Sequence, residues 1–139
     1  MRGHESCDKL VVSEALTIGP SAQLKVEKRN GSTQRVSLGS QELTASGSVV
    51  AGTQGVELNH ATVAVAATIA NAANHQGFFI VKNTSASGTA AHTLVLTSGT
   101  FDGTNDTATL NAPNEALVVY FDSAGNGTIV ENVGSVALS

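Results

Sequence analysis

Tryptophan is absent from this 139-residue chain, cysteine occurs once, proline twice, and aromatic side chains make up only 4%. The lone Cys7 excludes an internal disulfide. The scarcity of rings excludes a core built on large aromatic anchors, each of which normally buries about 150–250 Å². Val, Ala, Leu and Thr must fill the interior instead. A domain with so light a core is marginal alone, which points toward association with other subunits.

Charge is also sparse. Charged residues are 13% of the chain, against about a quarter in an average globular protein. Six of the seven basic residues (Arg2, Lys9, Lys25, Lys28, Arg29 and Arg35) fall within residues 1–40, against four acids. Residues 41–139 carry seven acids and Lys82. The first part is thus mildly basic and the second acidic, which reads either as two solvated surfaces or as a basic N-terminal part docking on an acidic partner or another copy. Nucleic acid is not expected, because the basic set is small and lacks interleaved aromatics. No membrane partner is expected either, since no apolar run approaches the roughly 18 residues of a spanning helix. The opening "MRGHESCDKLVVSEAL" has no uninterrupted apolar centre, so synthesis in a cytoplasm without a secretion signal is the expectation.

What is present is Thr, Ser, Asn, Gly and β-branched residues in alternating patterns, the make-up of a β-rich module. Residues 1–20 show no sustained period and are read as an extended arm, with a short strand near 15–18. Residues 21–40 read as a hairpin around Asn30-Gly31. A two-residue loop would throw Leu24 and Val26 onto the face opposite Val36 and Leu38. A three-residue loop with a Gly bulge keeps all four together and is preferred. The Ser/Gly-rich stretch 41–55 is read as a connector, and 56–139 as an antiparallel β-sandwich or jelly-roll-like barrel. Its strand signals are Val56/Leu58, Val63/Val65/Ile69, "GFFIVKNT", Leu94/Leu96, Ala108/Leu110, "EALVVYFD" and "GTIVENV". "GFFIVKNT" (77–84), apolar on both faces, reads as a central strand.

Asp102, Asn105 and Asp106 raise the question of a metal loop. An EF-hand needs ligands at alternate positions, a central Gly and a Glu at the twelfth. Counting from Asp102 puts Pro113 at the twelfth position, and counting from Asp122 puts Val133 there. Asx-Gly turns explain these residues more simply, so no metal is expected. His4, His60, His75 and His92 show no metal-ligand spacing, and His4 with Cys7 is half a zinc pair at most. No nucleophile elbow or phosphate loop occurs. Glu115 and Glu131 read as solvated strand-edge residues, so no enzyme activity and no cofactor are expected. Phe78, Phe79, Tyr120 and Phe121 read as core. Phe101 beside the Asp102 turn has packing as its plainer reading and projection onto a partner as the sharper one.

The run "LVLTSGTFDGTNDTATLNAPNEALVVYFDSAGNGTIVENVGSVAL" (94–138), with "HQGFFIVKNTSASGTAAHT" before it, resembles a β-rich segment of tailed-bacteriophage virion proteins. The resemblance covers about residues 60–139 and carries no catalytic residue. It implies a head-decoration or cement protein on the capsid exterior, with the major capsid protein and its own copies as partners and a homotrimer as the favoured assembly. A short chain without a repetitive shaft, preceded by an arm and a basic hairpin, tilts toward decoration. Shell and subunit contacts are then expected at Leu16, Ile18, Leu24, Val26, Val36 and Leu38, with Lys25, Lys28, Arg29 and Arg35 setting orientation. The alternative is a tail- or fibre-associated receptor- or carbohydrate-binding module using loops at Phe101, Asp102, Asp122 and Asn126.

Overall fold

The computed structural model describes residues 25–27, 33–35 and 39–139 except 89. It divides the chain into two units, Met1–Val36 and Ser37–Ser139. In the first, β1 (Lys25–Glu27) pairs antiparallel with β2 (Thr33–Arg35), matching Lys25 with Arg35, Val26 with Gln34 and Glu27 with Thr33. The connection between them, residues 28–32, on which the three-residue loop reading rests, lies outside the described residues.

The second unit is all-β. Its strands are β3 (Ser40–Leu43), β4 (Gly47–Ser48), β5 (Gly55–Leu58), β6 (Ala66–Ile69), β7 (Gly77–Asn83), β8 (His92–Leu96), β9 (Thr107–Leu110), β10 (Ala116–Phe121), β11 (Gly127–Val133) and β12 (Ala137–Leu138). A single 3-10 turn, Ala72–His75, interrupts them, with Asn71 Oδ1 accepting from the Ala73 N–H at 3.0 Å. Sheet I runs β11-β10-β7-β5-β3 and sheet II runs β12-β9-β8-β6-β4. The sheets are mixed. β3, β5 and β7 are parallel, as are β4, β6 and β8, while β10 and β11 in one sheet and β9 and β12 in the other are antiparallel additions.

From β3 to β8 the chain therefore changes sheet at every strand, winding through three turns before it reverses. This corrects the purely antiparallel expectation. It also corrects the connector at 41–55, which supplies the first wound turn, β3 and β4. Gln41 faces inward there and ties the turn together. Its side-chain amide donates to the Ser48 carbonyl (3.2 Å) and its Oε1 accepts from the Val50 N–H (2.8 Å).

Alternation decides which side chains meet between the sheets. Val56, Leu58, Phe79, Val81, Leu117, Val119 and Phe121 point inward from sheet I. Ala67, Ile69, Leu94, Leu96, Ala108 and Leu110 answer from sheet II, forming one sandwich-like core. β7 is the middle strand of its sheet, as its apolar run implied. The run is not buried on both faces, however. Phe78 and Ile80 point outward and are exposed.

Candidate functional site

The turns singled out from the sequence are held by their own side chains. Asp102 Oδ1 accepts from the Thr104 and Asn105 N–H groups (3.1 and 2.8 Å), and Oδ2 from Asn105 Nδ2 (2.7 Å). Asp122 repeats the device, with Oδ1 accepting from the Ala124 and Asn126 N–H groups (both 2.9 Å) and Oδ2 from Asn126 Nδ2 (3.3 Å). The Asn105 amides beside Asp102 and the Asn126 backbone amide beside Asp122 hold both carboxyls below the usual 3.8. Among the described residues no three His, Cys, Asp or Glu side chains gather as a metal site.

The two turns also lock onto each other. The Gly127 N–H donates to the Thr100 carbonyl at 2.7 Å, and a Cβ on Gly127 would lie 2.6 Å from the Thr100 and Phe101 oxygens. Only a residue without a side chain permits that approach. Beside this contact Phe101 is buried in the core and packs near Phe121, ring centroids 6.3 Å apart. Projection of Phe101 onto a partner is therefore corrected: of the expected loop contacts, Asp102, Asp122 and Asn126 are at the surface and Phe101 is not.

A second constellation joins residues distant in sequence. His92 and Ser85 are buried, and Ser85 Oγ lies 3.0 Å from His92 Nε2. The pair has the look of a nucleophile and its base, but the hydrogen bonds assign otherwise. His92 Nδ1 accepts from the Val65 N–H at 3.0 Å, so the ring proton is on Nε2 and is donated to Ser85. Ser85 Oγ in turn accepts from the His60 N–H and donates to the His60 carbonyl, both at 3.1 Å. His60 Nδ1 accepts from the Thr62 and Val63 N–H groups. An imidazole already protonated toward the hydroxyl cannot take its proton. This is a clasp closing the 59–65 loop on the 84–92 segment. Burial lowers the His92 pKa, with the neighbouring His60 adding to the effect against a raising contribution from the His60 backbone.

His75 donates from Nδ1 to the Thr53 carbonyl (2.7 Å) and stands edge-on to Phe79. Glu115 is buried rather than solvated, accepting from the Asn111 and Ala112 N–H groups at 2.6 and 3.0 Å. Glu131 is exposed on β11, so the two glutamates have separate settings.

The outer face of sheet I is the site that alternation alone under-reported. The cross-strand register lays Phe78 beside Tyr120, Ile80 beside Val118, and Lys82 beside Ala116. Phe78 is 60% exposed and Tyr120 46%, with Ile80, Val130 and Val133 also exposed. The two rings meet edge to face, centroids 5.5 Å apart and 74° between planes. Toward β3 the same face falls away to small residues, since Ser40 pairs with Gly55 and Gly55 with Ile80. Acids border it: Glu42 pairs with Glu57, and Glu57 with Lys82. Two of the five aromatic residues thus stand in solvent, contrary to the expectation that Phe78 and Tyr120 are core.

Of the contacts expected at the N-terminal part, Leu16, Ile18, Leu24, Lys28, Arg29, Val36 and Leu38 lie outside the described residues. Lys25, Val26 and Arg35 are placed in β1 and β2 by backbone pairing alone. A scan against models of known protein families finds no match, and neither does a comparison with curated proteins.

Proposed function

We propose that this chain is a non-enzymatic structural protein of a tailed-bacteriophage particle, a head-decoration or cement protein. In this reading it sits on the capsid exterior, binds the major capsid protein and its own copies, and bridges shell subunits. The observation that carries the reading is the outer face of sheet I, where Phe78, Ile80 and Tyr120 are held in solvent by a rigid sheet. Exposed apolar surface on a rigid frame is what a protein needs to bury at a seam. Repetition over many equivalent seams then holds the shell by avidity, without any one contact being strong. The virion resemblance over 60–139 supplies the setting, and the basic 1–40 segment supplies orientation against acidic neighbours.

A tail- or fibre-borne carbohydrate-binding module is the second reading, favoured by the exposed aromatic pair. The 74° between the rings argues against a flat sugar platform, although one ring alone can stack on a sugar. The deciding experiment is copy number in the purified particle, by quantitative mass spectrometry against the most abundant shell protein. Copies in simple proportion to the shell are expected. A handful per particle moves the protein to a tail or fibre, and absence overturns the virion reading. Deleting residues 1–20 is expected to abolish shell binding while leaving the sandwich folded, as read by circular dichroism.

A further inference from the structure

The outer face of sheet I sets large side chains beside small ones, and both signs of charge, in adjacent strands. Along one row of cross-strand neighbours lie Ser40, Gly55, Ile80 and Val118; along the next lie Glu42, Glu57, Lys82 and Ala116. Ile80 stands out from β7, while Gly55 on β5 has no side chain. Lys82 stands on β7, while Glu57 stands on β5. Lys82 is the single Lys or Arg in residues 41–139, and no ion pair to it occurs among the described residues.

We propose that two copies of this chain pair face to face through sheet I, about a two-fold axis running along the strands between β5 and β7. This operation lays β7 of each copy over β5 of the other while keeping the rows aligned. Ile80 then lies over the second copy's Gly55, which carries no side chain, and Val118 over its Ser40. Lys82 meets the second copy's Glu57, and the reverse contacts follow by symmetry. One operation satisfies size and charge together, which is the mark of a self-complementary interface. Sheets packed in this way run with their strands nearly aligned, the ordinary geometry of a sandwich.

The proposal rests on reading this face as an interaction surface. It takes a second copy rather than the shell as the occupant, and two-fold order in place of the three-fold order implied by the resemblance.

The test is sedimentation velocity on the full chain and on three variants, with circular dichroism confirming that each retains its strands. The unaltered protein is expected as a dimer in the micromolar range. Lys82→Glu sets Glu against Glu at both symmetric contacts, and Glu57→Lys sets Lys against Lys. Each is expected to weaken self-association on the order of 100-fold. Mixing the two variants recreates opposite charges across the seam, so a heterodimer is expected to reappear. Cross-strand pairing within one copy cannot produce that rescue. Ile80→Asp is expected to be monomeric with no rescue. A monomeric parent, charge variants that remain paired, or a mixture that fails to pair each overturn the proposal. None of these results bears on the particle copy number, which tests the virion reading separately.

Discussion

The two sheets of the sandwich are built to one plan and finished differently. Each carries three parallel strands followed by two antiparallel ones, and each presents Val, Leu, Ile, Ala or Phe to the shared core. Their outer faces diverge. On sheet II the register lines up Ala66, Thr93, Thr109 and Ala137 in one row and Ser48, Thr68, Val95 and Thr107 in the next. That face is short, β-branched and mostly polar, as a solvated sheet should be. Sheet I places Phe78, Ile80, Val118 and Tyr120 in the equivalent outward positions. Since the same fold tolerates a threonine face on one side, the apolar face on the other is not required by folding.

The inner faces should behave alike, and there the largest effects are expected. Phe79→Ala in sheet I should lose about 3–5 kcal/mol of stability, and Leu94→Ala in sheet II about 2–5 kcal/mol. Denaturant unfolding with an unchanged slope would confirm a shared, cooperative core. Loss in one sheet without loss of the other would break the comparison. The clasp comes next. Ser85→Ala removes the hydroxyl that joins His60 to His92 and should cost about 1–3 kcal/mol. The same clasp has a pH signature, because the folded His92 holds its proton less tightly than an ordinary imidazole at 6.5. Below 6.5 the unfolded chain binds the extra proton first. The stability present above 6.5 is therefore lost as pH falls through the lower folded value. Thermal melts between pH 8 and 5 should show that decline, and a His92→Gln variant should flatten it.

Smaller effects are expected at the turns. Asp102 and Asp122 are depressed below 3.8, so what they contribute is present above 3.8 and lost only as pH falls through their folded values. Amide protection at Asn105 and Asn126, taken relative to the intrinsic exchange rate at each pH, should hold through the His92 transition and fall only in stronger acid. The smallest effect on the monomer is expected on the outer face. Phe78→Thr gives sheet I the finish of sheet II and should change unfolding free energy by about 1 kcal/mol or less, the worth of the edge-to-face ring pair. A loss comparable to Phe79→Ala would mean that Phe78 belongs to the core after all.

How much of this was legible follows from what a period of two can say. Alternation identified much of the inward set, from Val56 and Leu58 through Val65 and Ile69 to Leu94, Leu96, Ala108 and Leu110. Asx-Gly chemistry identified the turns at Asp102 and Asp122. Period does not encode a strand's partner or direction, so the parallel winding was hidden. β3 and β4 were missed because edge strands rich in Ser, Gln and Gly carry little apolar signal. "GFFIVKNT" misled in a different way: a strand apolar on both faces was read as doubly covered, and only the fold shows that one cover is missing. The His60–Ser85–His92 clasp left no local trace, since its members are 25 and 7 residues apart.

The winding from β3 to β8 has a consequence for the order in which the protein assembles. In sheet I, β10 and β11 close over the short 122–126 turn, a local event of microseconds. β5 and β7, by contrast, become neighbours only after the chain has visited the other sheet and returned. Each wound turn must close a long loop before its pairing is rewarded, which is the slow kind of contact. Folding should accordingly start at the β10–β11 hairpin and proceed through β7 and β5 toward β3. The hairpin then acts as a template, and the Gln41-tied first turn sets last and loosens first.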